Sequence, residues 1–138
     1  MMGKDSEAGW PNPVIPGFEF SGVIYTLPKG GDNLGFSVGN EVFGFNWGPG
    51  TFQDSSRPDC PVAGTFSEYC MVPLDRLTLK PPELSYDLAA SIPMAACAAY
   101  QCLFDCGRLQ VGQRVLILGG DTPVGAIAIG IAKQRNAW

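Results

Sequence analysis

The chain has 138 residues, of which 46% are hydrophobic and 16% are charged, and its formal net charge is −4. This apolar content is enough for a packed core and excludes an intrinsically disordered chain. The acidic balance provides no basic surface for a nucleic acid or an anionic membrane, so we expect neither as a partner. What remains is a globular protein whose function has to be argued from its motifs.

The N-terminal residues lack the features of a targeting signal. Met1–Ala8 contains two acidic residues and no apolar core, which excludes a secretory signal peptide. The longest apolar run, Ala126–Ala132, is far shorter than a membrane-spanning helix and is interrupted by Gly130. We therefore expect a soluble, cytoplasmic protein.

The first part of the chain has the pattern of short strands separated by glycine- and proline-rich turns. The glycine inside the second strand, Gly44, predicts a bend or a close approach of another backbone segment. Regular strands of this kind predict a small barrel-like β domain, which we place at residues 1–84. The predicted strands are Phe18–Leu27, Glu41–Asn46, Thr65–Val72 and Arg76–Leu79.

The pattern becomes helical in the second part, residues 85–138. After a short helix, Pro93 starts a second helix that is predicted to end near Gly107. A buried strand, Arg114–Leu118, and a final helix beginning at Pro123 follow. A strand that leads directly into a helix predicts an α/β arrangement for this part of the chain.

The junction between this strand and the last helix has the form of a phosphate-binding turn. Gly119 and Gly125 stand where a G-x-x-G-x-x-G turn has its first and last glycines, which let the backbone approach a diphosphate without an intervening Cβ atom. Thr122 is a natural N-cap and Pro123 suits the first helical position, so the unpaired amides of the helix are available to an anion. The predicted cofactor-binding residues are Gly119, Gly120, Asp121, Thr122, Pro123, Val124 and Gly125.

Three features of the same turn oppose cofactor binding. Thr122 replaces the middle glycine and adds a side chain where a phosphate approaches, and Pro123 removes one donor amide. Asp121 adds a carboxylate beside the expected anion, which repels it if the two face each other. An ordinary strand-to-helix turn therefore stays the alternative, because a single glycine motif is a weak signal.

No metal site is predicted, and no catalytic residue is assigned. The chain has no histidine, which is the commonest zinc-site partner and the usual general base at neutral pH. The odd number of cysteines and the absence of a C-x-x-C pair favour reduced thiols, which we interpret as small buried apolar residues. Two of them are four residues apart and share a face if their segment is helical. The five are Cys60, Cys70, Cys97, Cys102 and Cys106.

Four segments in chain order resemble motifs of the medium-chain dehydrogenase/reductase superfamily. Pro13–Ile24 resembles its P-x-x-x-G-x-E-x-x-G-x-V segment, and Asn40–Phe45 resembles its G-D-x-V-x-G-F strand. Gly64–Pro73 resembles the G-x-x-x-E-Y-x-x-V-P strand, and Leu88–Leu103 resembles the A-A-x-x-P-x-x-x-x-T-A-Y helix. The glycine turn follows at the expected distance. The ordered set covers nearly the whole chain from Pro11 and is far more specific than any single motif.

This resemblance implies a fold class and a cofactor. Members have a GroES-like β-barrel domain followed by a Rossmann domain, so the implied class is α/β plus β, with a partial GroES-like domain before the first β-α unit of a Rossmann fold. They transfer hydride from NAD(P)H or to NAD(P)+, which implies NADPH or NADH as the cofactor. Phe18 stands where zinc-dependent members have a metal-binding histidine, and the segment Gly48–Pro61 holds only Cys60, so the resemblance implies no zinc.

The zinc-free quinone oxidoreductases and enoyl reductases are the most similar branch, in particular the trans-acting enoyl reductases of fungal polyketide pathways. The resemblance implies a reductase that transfers hydride to a quinone, enone or enoyl double bond of a small-molecule substrate. Ala98 stands where the family has a threonine near the nicotinamide, so that hydroxyl is missing. Glu19, Glu68 and Tyr69 recur in the family pattern, and we expect structural roles for them.

The shortness of the chain leaves a second interpretation open. The opening strands of the family fold have no counterpart before Met1, and everything after the first β-α unit is missing, so we expect a truncated fragment. The alternative to an enzyme is an inactive fragment or isoform that acts as a structural or interaction protein. A homodimer is expected only for a full-length form, and the residue that selects NAD or NADP is expected beyond Trp138.

Overall fold

The computed structural model describes residues 15–46 and 64–138. Three features of the sequence lie outside these residues, namely the N-terminal segment Met1–Ala8, the polar loop at 48–61 with Cys60, and the first two residues of the Pro13–Ile24 motif. None of the helices in the described parts is long and apolar enough to cross a membrane.

The chain divides into two compact units, Met1–Ala90 and Ser91–Trp138. The division by contacts falls after Ala90 because the short helix α1, Tyr86–Ala90, packs against strands of the first unit. The boundary that the sequence suggests at residue 84 stays a prediction, since it refers to domains of the family fold rather than to compactness.

The first unit contains an antiparallel sheet of three strands, β1 (Glu19–Val23), β2 (Glu41–Phe45) and β3 (Leu77–Leu79), in the order β1-β2-β3. The central strand directs Val42 into the interior, where it is 4% exposed. The prediction for Gly44 is confirmed, because a Cβ atom at this position would overlap the carbonyl oxygen of Arg76. This glycine therefore permits the close approach of the segment that enters β3.

The predicted third strand, Thr65–Val72, is wrong, because this segment has no regular strand structure. Backbone hydrogen bonds from the amides of Thr65 and Phe66 to the carbonyl groups of Gly17 and Pro16 connect it to the start of the described chain. Its large apolar side chains are exposed, including Phe66 at 73%. Its mixture of apolar and polar residues therefore does not mark one buried face of a sheet.

A buried lysine joins β2 to the segment that follows β3. The side chain of Lys80 is 4% exposed, and its ammonium group lies 2.9 Å from Glu41 Oε2. It also donates to the carbonyl oxygens of Leu84 at 2.7 Å and Pro81 at 3.2 Å. The hydroxyl of Tyr86 donates to Glu41 Oε1 at 2.7 Å, and the Tyr86 ring lies 5.0 Å from the ammonium group. We call Lys80, Glu41 and Tyr86 the lysine cluster.

The lysine cluster predicts a specific response to acid. The hydrogen bond from Lys80, followed by the one from Tyr86, holds the pKa of Glu41 below its ordinary value of 4.5. A carboxylate with a depressed folded-state pKa stabilises the fold above its unfolded-state pKa, and this contribution is lost as the pH falls through the folded-state value. Thermal unfolding measured at a series of acidic pH values is expected to show a smaller loss of stability below pH 4.5 in Glu41→Gln than in the native chain. Equal losses in the two proteins would contradict this assignment.

The second unit is built from helices. Helix α2 (Pro93–Tyr100) continues into a π-helical segment, π1 (Gln101–Cys106), and helix α3 (Pro123–Gln134) packs against α2. The core of the unit consists of Ala99, Leu103 and Ala128, which are at most 7% exposed. The predicted helix from Pro93 to near Gly107 is confirmed, and so is the helix that begins at Pro123. The small alanine side chains allow the two helices to approach closely.

The predicted buried strand Arg114–Leu118 is extended but forms no regular strand. One side of it is covered, because Val115 and Ile117 pack against the core. The other side is open, with Leu116 and Leu118 exposed by 84% and 86%. The prediction of a buried strand is therefore wrong for this chain. A parallel strand becomes buried only when neighbouring strands pair with it and both sheet faces are covered.

The backbone of this extended segment nevertheless begins a parallel pairing with residue 138. The amide of Trp138 donates to the carbonyl of Gln113 at 2.9 Å, and the amide of Val115 donates to the carbonyl of Trp138 at 2.7 Å. Trp138 therefore bonds to two residues of the neighbouring segment, Gln113 and Val115, through its amide and its carbonyl group. This is the hydrogen-bond pattern of a parallel ladder. Helix α3 therefore connects two segments that share the first two hydrogen bonds of a parallel pairing, without a regular strand in either.

Helix α3 contains a glycine whose replacement is expected to be stabilising. Gly130 is exposed, and a Cβ atom at this position would meet no other atom within 4 Å. Alanine loses less backbone entropy in a helix than glycine does, so Gly130→Ala is expected to stabilise the second unit by about 0.5–1 kcal/mol. Chemical denaturation followed by circular dichroism tests this, and a destabilised variant would show that α3 is not an exposed regular helix here.

Candidate functional site

The turn between the extended segment and α3 is closed by the side chain of Thr122. Its hydroxyl donates to the carbonyl oxygen of Gly119 at 2.7 Å and accepts from the amide of Gly125 at 3.1 Å. The backbone amide of Thr122 donates to the same carbonyl oxygen at 3.0 Å. Thr122 is therefore the N-cap of α3, as its position in the sequence predicts, and Pro123 occupies the first helical turn.

Two glycines make this tight geometry possible. Gly119 has a φ of +79°, a left-handed conformation that side chains other than glycine rarely adopt. A Cβ atom at Gly125 would overlap the carbonyl oxygen of Gly119 and would lie 2.9 Å from the Cα atom of Gly120. The first turn of α3 is thus in van der Waals contact with the glycine pair, which is the close approach that the motif predicts.

Unpaired amides remain at the start of α3. Among the hydrogen bonds within the described residues, the backbone amides of Gly120, Asp121 and Val124 have no acceptor, whereas that of Gly125 is taken by the Thr122 hydroxyl. Pro123 has no amide hydrogen to offer. The free amides stand at the positive end of a twelve-residue helix, which attracts an anion.

The carboxylate of Asp121 does not close this site. The side chain is exposed, and within the described part of the chain it forms no hydrogen bond or ion pair that would occupy the free amides. Its negative charge nevertheless stays next to them without a cationic partner there. The free amides are therefore not occupied by this carboxylate, and charge repulsion between Asp121 and a bound anion stays a prediction.

The cysteines are not the buried apolar residues that we expected. Free cysteine is among the most buried residue types, so four exposed thiols are unusual. In α2 and π1 the inward positions are taken by Ala99 and Leu103, which leaves the cysteines on the outer side. The prediction of burial is wrong for Cys70, Cys97, Cys102 and Cys106.

No metal centre is present among residues 15–46 and 64–138, where no three cysteine, aspartate or glutamate side chains come together as ligands. Phe18, at the position of the metal-binding histidine, is half-buried next to β1. Ala98 is half-buried in α2, and Tyr69 packs edge-on against Tyr25 with ring centroids 5.3 Å apart.

The family of the chain follows from a comparison with known proteins. Residues 1–82 match the family model of the alcohol dehydrogenase GroES-like domain. The chain belongs to this family, within the medium-chain dehydrogenase/reductases. The predicted family is therefore confirmed, and so is the predicted fold class, a GroES-like domain of which the small antiparallel sheet is part, followed by the start of an α/β unit.

Relatives resemble the chain along nearly its whole length. A 2-methylene-furan-3-one reductase of Solanum lycopersicum is 31% identical over 133 residues, which are 96% of this chain and 32% of that protein. An NAD(P)H oxidoreductase of Danio rerio, described as mitochondrial, is 32% identical over 136 residues, again 96% and 32%. The quinone oxidoreductase from Coxiella burnetii superposes with a TM-score of 0.68 at 31% identity, over 88% of this chain and 34% of that one.

The chain spans about a third of the length of these relatives. Quinone oxidoreductases and enoyl reductases are both among the similar structures, so the chain is related to oxidoreductases. A protein of Schizosaccharomyces pombe described as a zinc-type alcohol dehydrogenase-like protein is also among the relatives, at 33% identity. The expected absence of zinc therefore stays a prediction.

Proposed function

We propose that this chain is part of an NAD(P)H-dependent, zinc-free reductase. The reductase adds hydride to the electron-poor double bond of a small molecule, such as a quinone, an enone or an enoyl group. Within this reductase, the chain contributes the GroES-like domain and the turn that binds the diphosphate of the dinucleotide. Relatives named as an NAD(P)H oxidoreductase, a 2-methylene-furan-3-one reductase and a quinone oxidoreductase support the proposal. The cytoplasmic location and the homodimer of a full-length form stay predictions.

The glycine turn carries this proposal. A diphosphate fits the residues that are present, because Gly119 and Gly125 bring backbone to within contact distance and the amides of Gly120, Asp121 and Val124 are unpaired. Backbone amides at a helix N-terminus bind such a group without any charged side chain. Thr122, which replaces the middle glycine of the motif, does not oppose binding, since its hydroxyl is turned into the cap.

The chemistry asks little of the side chains in this chain. Bound NAD(P)H supplies the hydride, and the protein contributes position and exclusion of water. The amides of the turn hold the diphosphate, and the left-handed conformation of Gly119 fixes the direction in which they point. No side chain of the described residues is assigned to proton transfer.

The second candidate is a non-enzymatic structural or interaction protein, and one observation favours it. Leu116 and Leu118 are exposed although they lie in the segment that a complete Rossmann sheet would bury. A chain with this open face binds a dinucleotide only if the turn keeps its shape without strands on both sides.

A titration of the 138-residue chain with NADPH, followed by fluorescence and calorimetry, separates the two candidates. Saturable binding with a dissociation constant in the micromolar range supports the reductase. The positive control is Gly130→Ala, which is expected to bind with the same affinity because this exposed position lies outside the turn. Absence of binding in a chain whose circular dichroism shows folded helices supports the second. Competition by inorganic diphosphate tests whether the turn itself holds the ligand.

A further inference from the structure

Two exposed thiols lie one turn apart on the outer side of the second unit. Cys102 and Cys106 both belong to π1, and both are exposed. Of the three intervening residues, Leu103 and Phe104 face the core, whereas Asp105 is exposed. The segment ends with a hydrogen bond from the amide of Gly107 to the carbonyl of Cys102, which spans five residues and is typical of a π-helix.

The helix places the two thiols within one turn of each other. They are four positions apart in the sequence, which is slightly less than one turn of a helix with five-residue hydrogen bonds, so both side chains leave the same face. Single-turn π-helices occur frequently at functional sites. Free cysteine is usually buried, whereas both thiols of this segment are accessible to a ligand in this chain.

The spacing disfavours a disulfide. Side chains one helical turn apart have Cβ atoms about 5–6 Å apart, whereas a disulfide requires about 3.5–4.5 Å between them. A direct S–S bond would therefore strain the segment. A bridging atom between the two sulfur atoms removes this restriction.

The number of available protein ligands determines which metal ion can bridge the two sulfur atoms. Zinc in proteins requires three or four protein ligands, and within the described residues no third cysteine, aspartate or glutamate joins the pair as a ligand. Thiolates prefer soft ions such as Cu(I), and Cu(I) is stable with two thiolate ligands in a linear arrangement. We propose that Cys102 and Cys106 form a two-thiolate binding site for Cu(I).

Binding at this site is a ligand exchange without oxidation or reduction. Two Cu–S bonds form and two S–H bonds break, so one Cu+ and two thiols give a bis-thiolate complex with one negative charge and two released protons. Because two ligands on one helix act together, loss of either thiol is expected to lower the affinity by about 10²-fold or more. The inference does not depend on the proposed reductase function.

The test is a titration of the 138-residue chain with Cu(I) under anaerobic conditions, in competition with a chromophoric Cu(I) chelator. The expected result is one tightly bound Cu(I) per chain, with loss of tight binding in Cys102→Ala and in Cys106→Ala. The matched control is Cys97→Ala, which removes an exposed thiol from the same continuous helical stretch. The control is expected to keep the native affinity.

A second measurement on the native chain does not depend on any variant. Alkylation followed by mass spectrometry is expected to show that Cu(I) protects Cys102 and Cys106 while Cys97 reacts. Equal protection of all these cysteines, or an equal loss of affinity in Cys97→Ala, would overturn the proposal. Neither readout involves NADPH, so failure here leaves the proposed reductase function untouched, and absence of NADPH binding leaves this site untouched.

Discussion

Gly125→Ala is expected to destabilise the second unit by about 3 kcal/mol and to lower any affinity for NADPH at least about tenfold. The added methyl group would overlap the carbonyl oxygen of Gly119, which is backbone and has no alternative rotamer. The same carbonyl accepts from the hydroxyl and the amide of Thr122, so its displacement also breaks the cap of α3. Displacement of this carbonyl group is also expected to change the orientation of the unpaired amides of Gly120 and Val124.

Chemical denaturation and an NADPH titration on the same samples measure both effects. Gly130→Ala is the matched control, since it makes the same substitution in the same helix where the methyl group meets open space. A small loss of stability in Gly125→Ala, with NADPH affinity within about threefold of the native value, would show that the contact between Gly119 and Gly125 is not what shapes the site. A loss of stability alone, in a chain that never bound NADPH, would support only the structural role of this contact.

Local sequence signals predicted the parts of the structure that depend on neighbouring residues. The cap at Thr122, the helix start at Pro123 and the close approach at Gly44 are all confirmed, because each depends on backbone conformation within a few residues or on the absence of a side chain. The strands that contain Glu19 and Glu41 were also predicted, although both are shorter than expected.

The predictions that failed depend on segments distant in the sequence. Thr65–Val72 has the composition of a strand but lacks a continuous partner, and its apolar side chains are exposed. Leu116 and Leu118 belong to an apolar run that resembles a buried strand, yet burial requires neighbouring strands on either side. The prediction that the cysteines are buried failed for a different reason. Their burial was inferred from residue type alone, whereas the face of the helix on which a residue lies decides it.

The lysine cluster could not be predicted from the sequence. Glu41 belongs to β2, Lys80 follows β3, and Tyr86 begins α1, so the three meet only after the sheet has formed. No spacing rule connects residues in three different elements. A buried lysine is the kind of feature that only the structure reveals, because lysine is almost never fully buried unless it is paired.

Lys80→Met is expected to destabilise the first unit by about 2–3 kcal/mol, although methionine has a similar length and is more apolar. The ammonium group of Lys80 donates to the carbonyl oxygens of Pro81 and Leu84 and pairs with Glu41, and methionine can donate to none of these acceptors. The carboxylate of Glu41 is half-exposed, so water hydrates it when Lys80 is replaced. The loss of stability therefore stays at the lower end of the range for a broken buried ion pair. Most of the effect therefore comes from the loss of the two carbonyl acceptors that hold the segment after β3.

The matched control for this prediction is Lys29→Met, which removes the same charge from an exposed position of the same unit. Exposed substitutions of this kind usually change stability by no more than about 0.5 kcal/mol. Urea denaturation followed by tyrosine and tryptophan fluorescence measures both variants, and the difference between them isolates burial from charge. A Lys80→Met chain as stable as Lys29→Met would mean that the segment from Pro81 to Leu84 is held by packing alone. The Tyr86 hydroxyl would then be the remaining partner that lowers the pKa of Glu41.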